Sequence, residues 1–99
     1  MNYETELQEA SKFFAQCLDI FGKKANDYAK DSNPFSNFEK IATMVDIPVE
    51  KAFLVFMAVK IARIVELLGK KAKNESMEDS LKDLANYTCL MYIYQRSKK

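Results

Sequence analysis

The chain contains no histidine among its 99 residues. This absence excludes acid–base catalysis by imidazole and zinc sites built on histidine ligands. The only two cysteines, Cys17 and Cys89, form no CxxC pair, and two thiolates cannot complete a structural zinc site. Isolated cysteines and the lack of an N-terminal signal peptide predict buried free thiols in a cytoplasmic, reducing setting. Any catalysis would therefore have to use carboxylate, lysine or tyrosine side chains.

The sequence also lacks a basic surplus and a long apolar run. Its formal net charge is +1, whereas proteins that bind nucleic acids carry a basic excess or a basic arm. We therefore expect no DNA or RNA duplex as a partner. The longest apolar run, residues 52–59, is too short to span a bilayer, so no membrane partner is expected either.

Glycine and proline are scarce, with two of each, and the hydrophobic spacing is helical. The sequence predicts one all-α domain over residues 1–99, a small bundle of three long helices and one short helix. Pro34 interrupts the chain, and Ser36 and Glu39 have the spacing of a capping box that opens the short helix. The predicted helices are residues 3–30, 36–45, 49–73 and 75–96.

Two apolar surfaces predict self-association. The first helix carries a heptad-like seam, and residues 52–59 of the third helix are apolar on every side. A chain of this length has too few other elements to cover both surfaces. We expect a dimer or a higher symmetric homo-oligomer that associates through the first and third helices. The seam consists of Tyr3, Leu7, Ala10, Phe14, Cys17, Phe21, Lys24 and Tyr28.

Acidic and amide side chains share one face of the last predicted helix. At 100° per residue, Glu75, Asp79, Asp83 and Asn86 fall within roughly 80° of one another. The same face continues as Leu90 and Ile93, which indicates that it points inward. Burying a carboxylate costs free energy unless a cation compensates its charge. That cation is either Mg²⁺ or one of the protein's own lysine and arginine side chains. The alternative is a solvated face whose charges favour the helix N-terminus.

The third helix carries a basic stripe behind its apolar run. Lys60, Arg63, Glu66 and Lys70 share a stripe roughly 120° wide. Arg63 can hold a phosphate through two hydrogen bonds, with Lys60 as a point charge beside it. The same cations can instead neutralise the acidic helix through internal salt bridges.

Aromatic residues and lysines meet where the first helix ends. Lys23, Lys24, Asp27 and Tyr28 precede Pro34, Phe35 and Phe38. Such a group can form a wall that stacks on a base, with lysines available to phosphates. The alternative is a hydrophobic cluster that covers the loop.

Four segments follow one another between residues 24 and 87: Lys24-x-x-Asp27-Tyr28, Phe35-Ser36-Asn37-Phe38, Lys60-x-x-Arg63-Ile64, and Glu75 followed by Asp79-x-x-x-Asp83-Leu84-Ala85-Asn86-Tyr87. Their order and spacing resemble the phage and bacterial nucleotide-modification-associated domain 1. That domain is similar in layout to the all-α nucleoside triphosphate pyrophosphatases of the MazG and dimeric dUTPase type. The resemblance implies a MazG-like helical bundle that associates and takes a nucleotide as its ligand.

The resemblance also implies a role for the acidic helix. Asp79, Asp83 and Glu75 match the second acidic motif, which helps hold Mg²⁺ in the pyrophosphatases. The first acidic motif, of the EExxE kind, is largely missing, because Lys60 and Arg63 stand near the expected acids and only Glu66 is acidic. A two-metal phosphoryl site needs several carboxylates, whereas cations in their place can hold phosphates directly.

Two functions of different class follow, with a third as a further alternative. The first is a phage-type protein in the host cytoplasm that captures a nucleotide or nucleotide-derived signal without hydrolysing it and without a cofactor. The second is a Mg²⁺-dependent hydrolase of (deoxy)nucleoside triphosphates that uses Glu66, Glu75, Asp79 and Asp83. The third is a helical protein-interaction module. The candidate ligand-binding residues of the first are Lys24, Asp27, Tyr28, Phe35, Asn37, Phe38, Lys60, Arg63, Asp83, Asn86 and Tyr87.

Overall fold

The computed structural model describes residues 2–27, 33–70 and 76–98, with the side chains of residues 25–27 outside that description. Four helices make up this part of the chain, and it contains no strand. They are α1 (Tyr3–Asp27), α2 (Ser36–Val45), α3 (Val49–Leu67) and α4 (Met77–Ser97). This architecture confirms the predicted all-α bundle of three long helices and one short helix.

Helix α4 lies at the centre of the bundle, because it packs against α3 on one side and α1 on the other. Helix α2 packs against α3. The core is aromatic: Phe53 is fully buried, and its ring stacks on that of Phe38 with centroids 4.2 Å apart. Phe35 meets the Tyr94 ring edge-on at 5.2 Å. Aromatic pairs of this kind contribute about 0.5–1.5 kcal/mol each beyond the area they bury.

The start of α2 differs from the predicted capping box. Phe35, not Ser36, is the N-cap residue, and it makes no side-chain cap hydrogen bond. Asn33 organises the turn instead: its Oδ1 accepts from the Phe35 N–H at 3.0 Å, and its Nδ2 donates to Glu39 at 2.7 Å. An asparagine side chain that binds the backbone two residues ahead is a standard turn device, and here it takes the place predicted for Ser36.

Helix α3 ends earlier than the predicted boundary at residue 73. Its last residue is Leu67, Leu68 caps it, and Gly69 adopts a left-handed conformation with φ of 72°. Glycine takes this conformation without steric cost and commonly terminates helices just beyond the cap. At the start of α4, Ser76 acts as the predicted cap and accepts a hydrogen bond from the Asp79 N–H at 3.0 Å.

A broad apolar face of α3 is left uncovered by the rest of the described chain. Six large side chains on this face and at its cap are each more than half exposed. Tyr3, Leu7 and Phe14 of the α1 seam are also more than half exposed, as is Leu18, which follows the seam residue Cys17. Among the residues that the structure describes, no helix is both long and apolar enough to cross a membrane. The six residues are Leu54, Val55, Val59, Ile61 and Val65 of α3, and Leu68, which caps it.

Candidate functional site

A cavity of about 160 Å³ lies where the four helical segments meet. Three aromatic rings form its wall: Phe56 lies 5.0 Å from Phe38 and 5.6 Å from Tyr87, measured between ring centroids. Polar side chains from α1 and α4 occupy another part of the lining. The complete lining is Phe21, Lys24, Pro34, Asn37, Phe38, Phe56, Asp83, Asn86, Tyr87 and Leu90.

The volume of the cavity limits what can enter it. An apolar protein cavity of roughly 150 Å³ accommodates a single benzene ring. The present cavity is of similar size, so it can take one planar ring and not a whole nucleotide. Any sugar or phosphate joined to such a ring must lie outside the aromatic wall.

Asp83 connects three helices at the polar part of the cavity. Its Oδ2 lies 3.0 Å from the Lys60 Nζ on α3, and its Oδ1 lies 3.6 Å from the Lys24 Nζ on α1. The side chains of Asp83 and Lys60 are only 20% and 18% exposed, whereas that of Lys24 is 54% exposed. Two ammonium groups therefore face one carboxylate, and Lys60 takes part in a further interaction within the protein.

Asn86 lies one turn beyond Asp83 on the same face of α4. Its Nδ2 donates a hydrogen bond of 3.1 Å to the backbone carbonyl of Cys17 on α1. Because a carbonyl oxygen can only accept, this contact fixes which end of the carboxamide faces α1. The hydrogen bond joins the two helices next to the cavity and holds the Asn86 side chain in place.

The two cysteines are both free, as predicted, but only Cys17 is buried. Burial raises the pKa of the Cys17 thiol above its usual 9.0; the Lys82 ammonium opposes this rise, and the Asp83 carboxylate adds to it. Cys89 is exposed, so the prediction of a second buried thiol was wrong. Cys89 lies on a part of α4 that neither α1 nor α3 covers.

The cavity brings together six of the predicted ligand-binding residues, all of which line it: Lys24, Asn37, Phe38, Asp83, Asn86 and Tyr87. Lys60 reaches the site through Asp83. Phe35 does not line the cavity, since its ring packs against Phe53 and Tyr94 in the core. Tyr28 and the side chain of Asp27 lie outside the described residues.

Arg63 lies one turn beyond Lys60 on α3, and its Nη1 is 3.4 Å from the Glu66 Oε2. It also takes part in a further interaction within the protein. The Arg63–Glu66 salt bridge lies within α3. The Lys60–Asp83 pair, which joins α3 to α4, is the contact that agrees with the predicted alternative of internal salt bridges to the acidic helix. Arg63 is about one-third exposed, so ligands outside the cavity can still reach it.

The acids of the hydrolase alternative do not form a cluster in the described part of the chain. Glu66 pairs with Arg63, Asp83 pairs with lysines, and Asp79 is exposed in the first turn of α4. Among the described residues, no three cysteine or carboxylate side chains lie close enough together to hold a metal ion. The fourth predicted ligand, Glu75, lies outside these residues.

Phe21, Phe56 and Leu90 line the cavity without having been predicted as site residues. Phe21 belongs to the seam of α1, Phe56 to the apolar run of α3, and Leu90 to the inward face of α4. An apolar residue in an apolar stretch has the same sequence signature whether it packs in a core or lines a cavity. The prediction for Ile93 on this face was wrong, because Ile93 is 37% exposed.

Comparisons with protein-family models, curated proteins and solved structures give no match for this chain.

Proposed function

We propose that this protein binds a nucleotide or a nucleotide-derived signal and does not hydrolyse it. The observation that carries the proposal is the pairing of a ring-sized aromatic cavity with the Lys24–Asp83–Lys60 cluster at its polar part. Aromatic rings stack on any nucleobase, and lysines attract phosphate. A nucleotide has both of these parts, joined by a sugar that bridges from the cavity to the surface.

In this proposal the base enters the cavity and stacks against the wall formed by Phe38, Phe56 and Tyr87. The phosphates lie outside the cavity. Lys24 is the cation best exposed for them, because more than half of its side chain is open to solvent. Arg63 lies one turn further along α3 from Lys60, and its side chain is about one-third exposed.

Capture without hydrolysis is supported by the state of Asp83. A carboxylate whose two oxygens face Lys60 and Lys24 is already compensated, so it does not require Mg²⁺ for its burial. A metal would have to displace both ammonium groups before using Asp83 as a ligand. The hydrolase remains the alternative that the functional experiment has to exclude.

The proposal includes self-association through a second copy of the chain. The exposed apolar side chains of α3 lie together on one face, whereas those of monomers are normally scattered singly over the surface. Its charged members are Lys51 near one end and Glu66 near the other, both exposed. If two copies of α3 pack antiparallel about a two-fold axis near Ala58 and Val59, Lys51 of each copy faces Glu66 of the other.

The test begins with mass spectrometry of small molecules released from the protein purified out of infected or nucleotide-rich cells. Isothermal titration calorimetry then compares Lys24→Ala with Lys23→Ala. Lys23 is the matched control, because it is the neighbouring exposed lysine, pairs with Asp19 at 3.1 Å and does not line the cavity.

We expect Lys24→Ala to weaken nucleotide binding about tenfold, and Lys23→Ala to leave it nearly unchanged. If the two substitutions weakened binding equally, Lys24 would act only through its positive charge and not through a specific contact with the ligand. No released nucleotide and no binding by the wild-type protein would reject the proposal. Phosphate or pyrophosphate release that depends on Mg²⁺ would establish the hydrolase instead.

A further inference from the structure

We infer that an exposed stripe of α4 packs against a second copy of this chain, so that the interface contains α3 and α4 from both copies. This inference rests on the proposed self-association through α3 and adds a second surface to it. Its basis is the position of the stripe beside the exposed face of α3 and the opposite charges at its two ends. The stripe consists of Glu78, Leu81, Ala85, Thr88, Tyr92 and Arg96.

The six residues of the stripe lie on one side of α4. At 100° per residue they fall within roughly 80° of one another. Ala85 is half-buried and the other five are exposed, with Leu81 at 42% and Tyr92 at 61%. The described part of the chain therefore leaves most of the stripe uncovered, although leucine and tyrosine contribute apolar area to it.

The stripe borders the exposed apolar face of α3. The Thr88 hydroxyl lies 3.5 Å from the Met57 sulfur on α3. Leu54 and Ile61 lie about one turn to either side of Met57, and both are more than half exposed on the α3 face. The two helices thus present one continuous surface, and a second copy that covers α3 with its own α3 brings its own α4 alongside.

The two-fold axis proposed for α3 also suits α4. Lys60 lies opposite Asp83, and the Thr88 contact is further along α4 but earlier on α3, so the two helices run antiparallel. The proposed axis of α3 then lies level with residues 85 and 86 of α4. About this axis the α4 helices of the two copies run antiparallel, so the first turn of each faces the last turn of the other.

Opposite charges meet in this arrangement. Glu78 is acidic in the first turn of α4 and Arg96 is basic in its last turn, and about five full turns separate them, so both project from the same side. The midpoint between them is residue 87, within about two residues, or roughly 3 Å, of the level of the axis. Glu78 is 73% exposed despite lying 3.6 Å from Lys82, and Arg96 lies over the Tyr92 ring on the stripe. Glu78 of each copy is therefore placed to face Arg96 of the other.

Charge reversal within α4 tests the inference by sedimentation over a range of protein concentrations. Arg96→Glu brings like charges together and should weaken self-association at least about tenfold. Adding Glu78→Lys should restore it. Lys40→Glu makes the same change of charge at an exposed position of α2 and should have no effect. A folded double variant that does not recover association would overturn the antiparallel contact of α4.

Tyr92→Lys decides the matter if Glu78→Lys, beside the largely buried Lys82, fails to fold. Tyr92 is mostly exposed within the chain, so lysine costs the monomer little, but it should weaken association by removing an apolar contact between copies. If Arg96→Glu and Tyr92→Lys both leave association unchanged while Glu66→Lys weakens it, the inference is overturned and the pairing of α3 stands. A wild-type monomer would overturn both and leave the stripe to a different protein.

Discussion

The carboxylate of Asp83 and the ammonium of Lys60 form a 3.0 Å ion pair between α4 and α3, with both side chains about four-fifths buried. Removing water from two charges is costly, and their mutual attraction compensates for that cost only while both partners are present. Loss of Lys60 leaves Asp83 with the more distant Lys24 ammonium, and loss of Asp83 removes one of the interactions of Lys60. The pair therefore stabilises the bundle next to the candidate site, and it distinguishes the two main functional hypotheses.

Asp83→Asn should lower the free energy of unfolding by about 2 kcal/mol, because it removes the carboxylate that lies 3.0 Å from the largely buried Lys60 ammonium. Mg²⁺ should change the melting temperature of the wild-type protein little. Urea denaturation and thermal melts, with and without millimolar Mg²⁺, measure both effects. Asp79→Asn is the matched control: Asp79 lies one turn earlier on α4 but is exposed, so it should cost less than about 1 kcal/mol.

The hydrolase makes the opposite prediction for the same variant. If Asp79 and Asp83 hold a metal, Mg²⁺ should raise the wild-type melting temperature and Asp83→Asn should abolish that rise. A loss of Mg²⁺-dependent turnover in Asp83→Asn would confirm this outcome and replace the binding hypothesis.

The helices and much of the site follow from local sequence patterns. Hydrophobic spacing predicts all four helices. The order of charged and aromatic segments identifies Lys24, Phe38 and Asp83 as candidate site residues, and the structure shows that all three line the same cavity. The end of α3 was less predictable, because the lysine-rich stretch after Gly69 has good helix propensity. The helix ends there because Leu68 adopts a non-helical ψ of 123° and Gly69 a left-handed conformation.

Three-dimensional packing decides what the sequence left open. Phe35 and Phe38 are separated by two residues and have the same chemistry, yet Phe35 packs against Tyr94 and Phe38 lines the cavity. The pairing of Asp83 with lysines was one of two alternatives, and sequence spacing cannot measure the separation between helices. The seam of α1 is likewise visible in the sequence, but its exposed N-terminal part is known only from the packing.

Charge reversal tests the proposed antiparallel pairing of α3. Sedimentation of the wild-type protein at micromolar concentration should show a dimer or larger assembly. Lys51→Glu and Glu66→Lys should each weaken association by opposing like charges across the interface, and the double variant should restore it. Lys40→Glu, on an exposed position of α2, is the control and should have no effect.

Two results would contradict the association model. A stable, fully helical wild-type monomer would remove association altogether. Association that both single variants and the double variant leave unchanged would retain the oligomer but reject the antiparallel arrangement about Ala58 and Val59.

The contact between Glu50 and Lys98 predicts a dependence of stability on acid pH. The Glu50 backbone N–H and then the Lys98 ammonium, 3.3 Å from Oε2, lower the pKa of the Glu50 carboxyl below its usual 4.5. A lowered carboxyl pKa stabilises the folded state at pH above 4.5, and this contribution is lost as the pH falls through the folded-state value. Glu50→Gln removes the group that titrates.

Urea denaturation of the wild-type and Glu50→Gln proteins from pH 7 to pH 3 measures this contribution. The wild-type protein should be the more stable above pH 4.5, and the two curves should converge at lower pH. A difference that stays constant across the range would show that Glu50 acts through packing or hydrogen bonding alone, with no contribution from its ionisation.

Ser80 provides the last prediction, because it is fully buried and its Oγ has no hydrogen-bond partner in the described part of the chain. Burying a hydroxyl without a partner costs about 1–3 kcal/mol, and alanine removes the polar atom with little change in volume. Ser80→Ala should therefore raise the free energy of unfolding by about 1 kcal/mol or more. Alanine also has the higher helix propensity, so Ser11→Ala, at an exposed position within α1, measures that smaller gain alone. Urea denaturation should show a larger stabilisation for Ser80→Ala than for Ser11→Ala, with nucleotide affinity unchanged because Ser80 does not line the cavity. A destabilised Ser80→Ala protein would reveal instead that the hydroxyl makes a polar contact on which the fold depends.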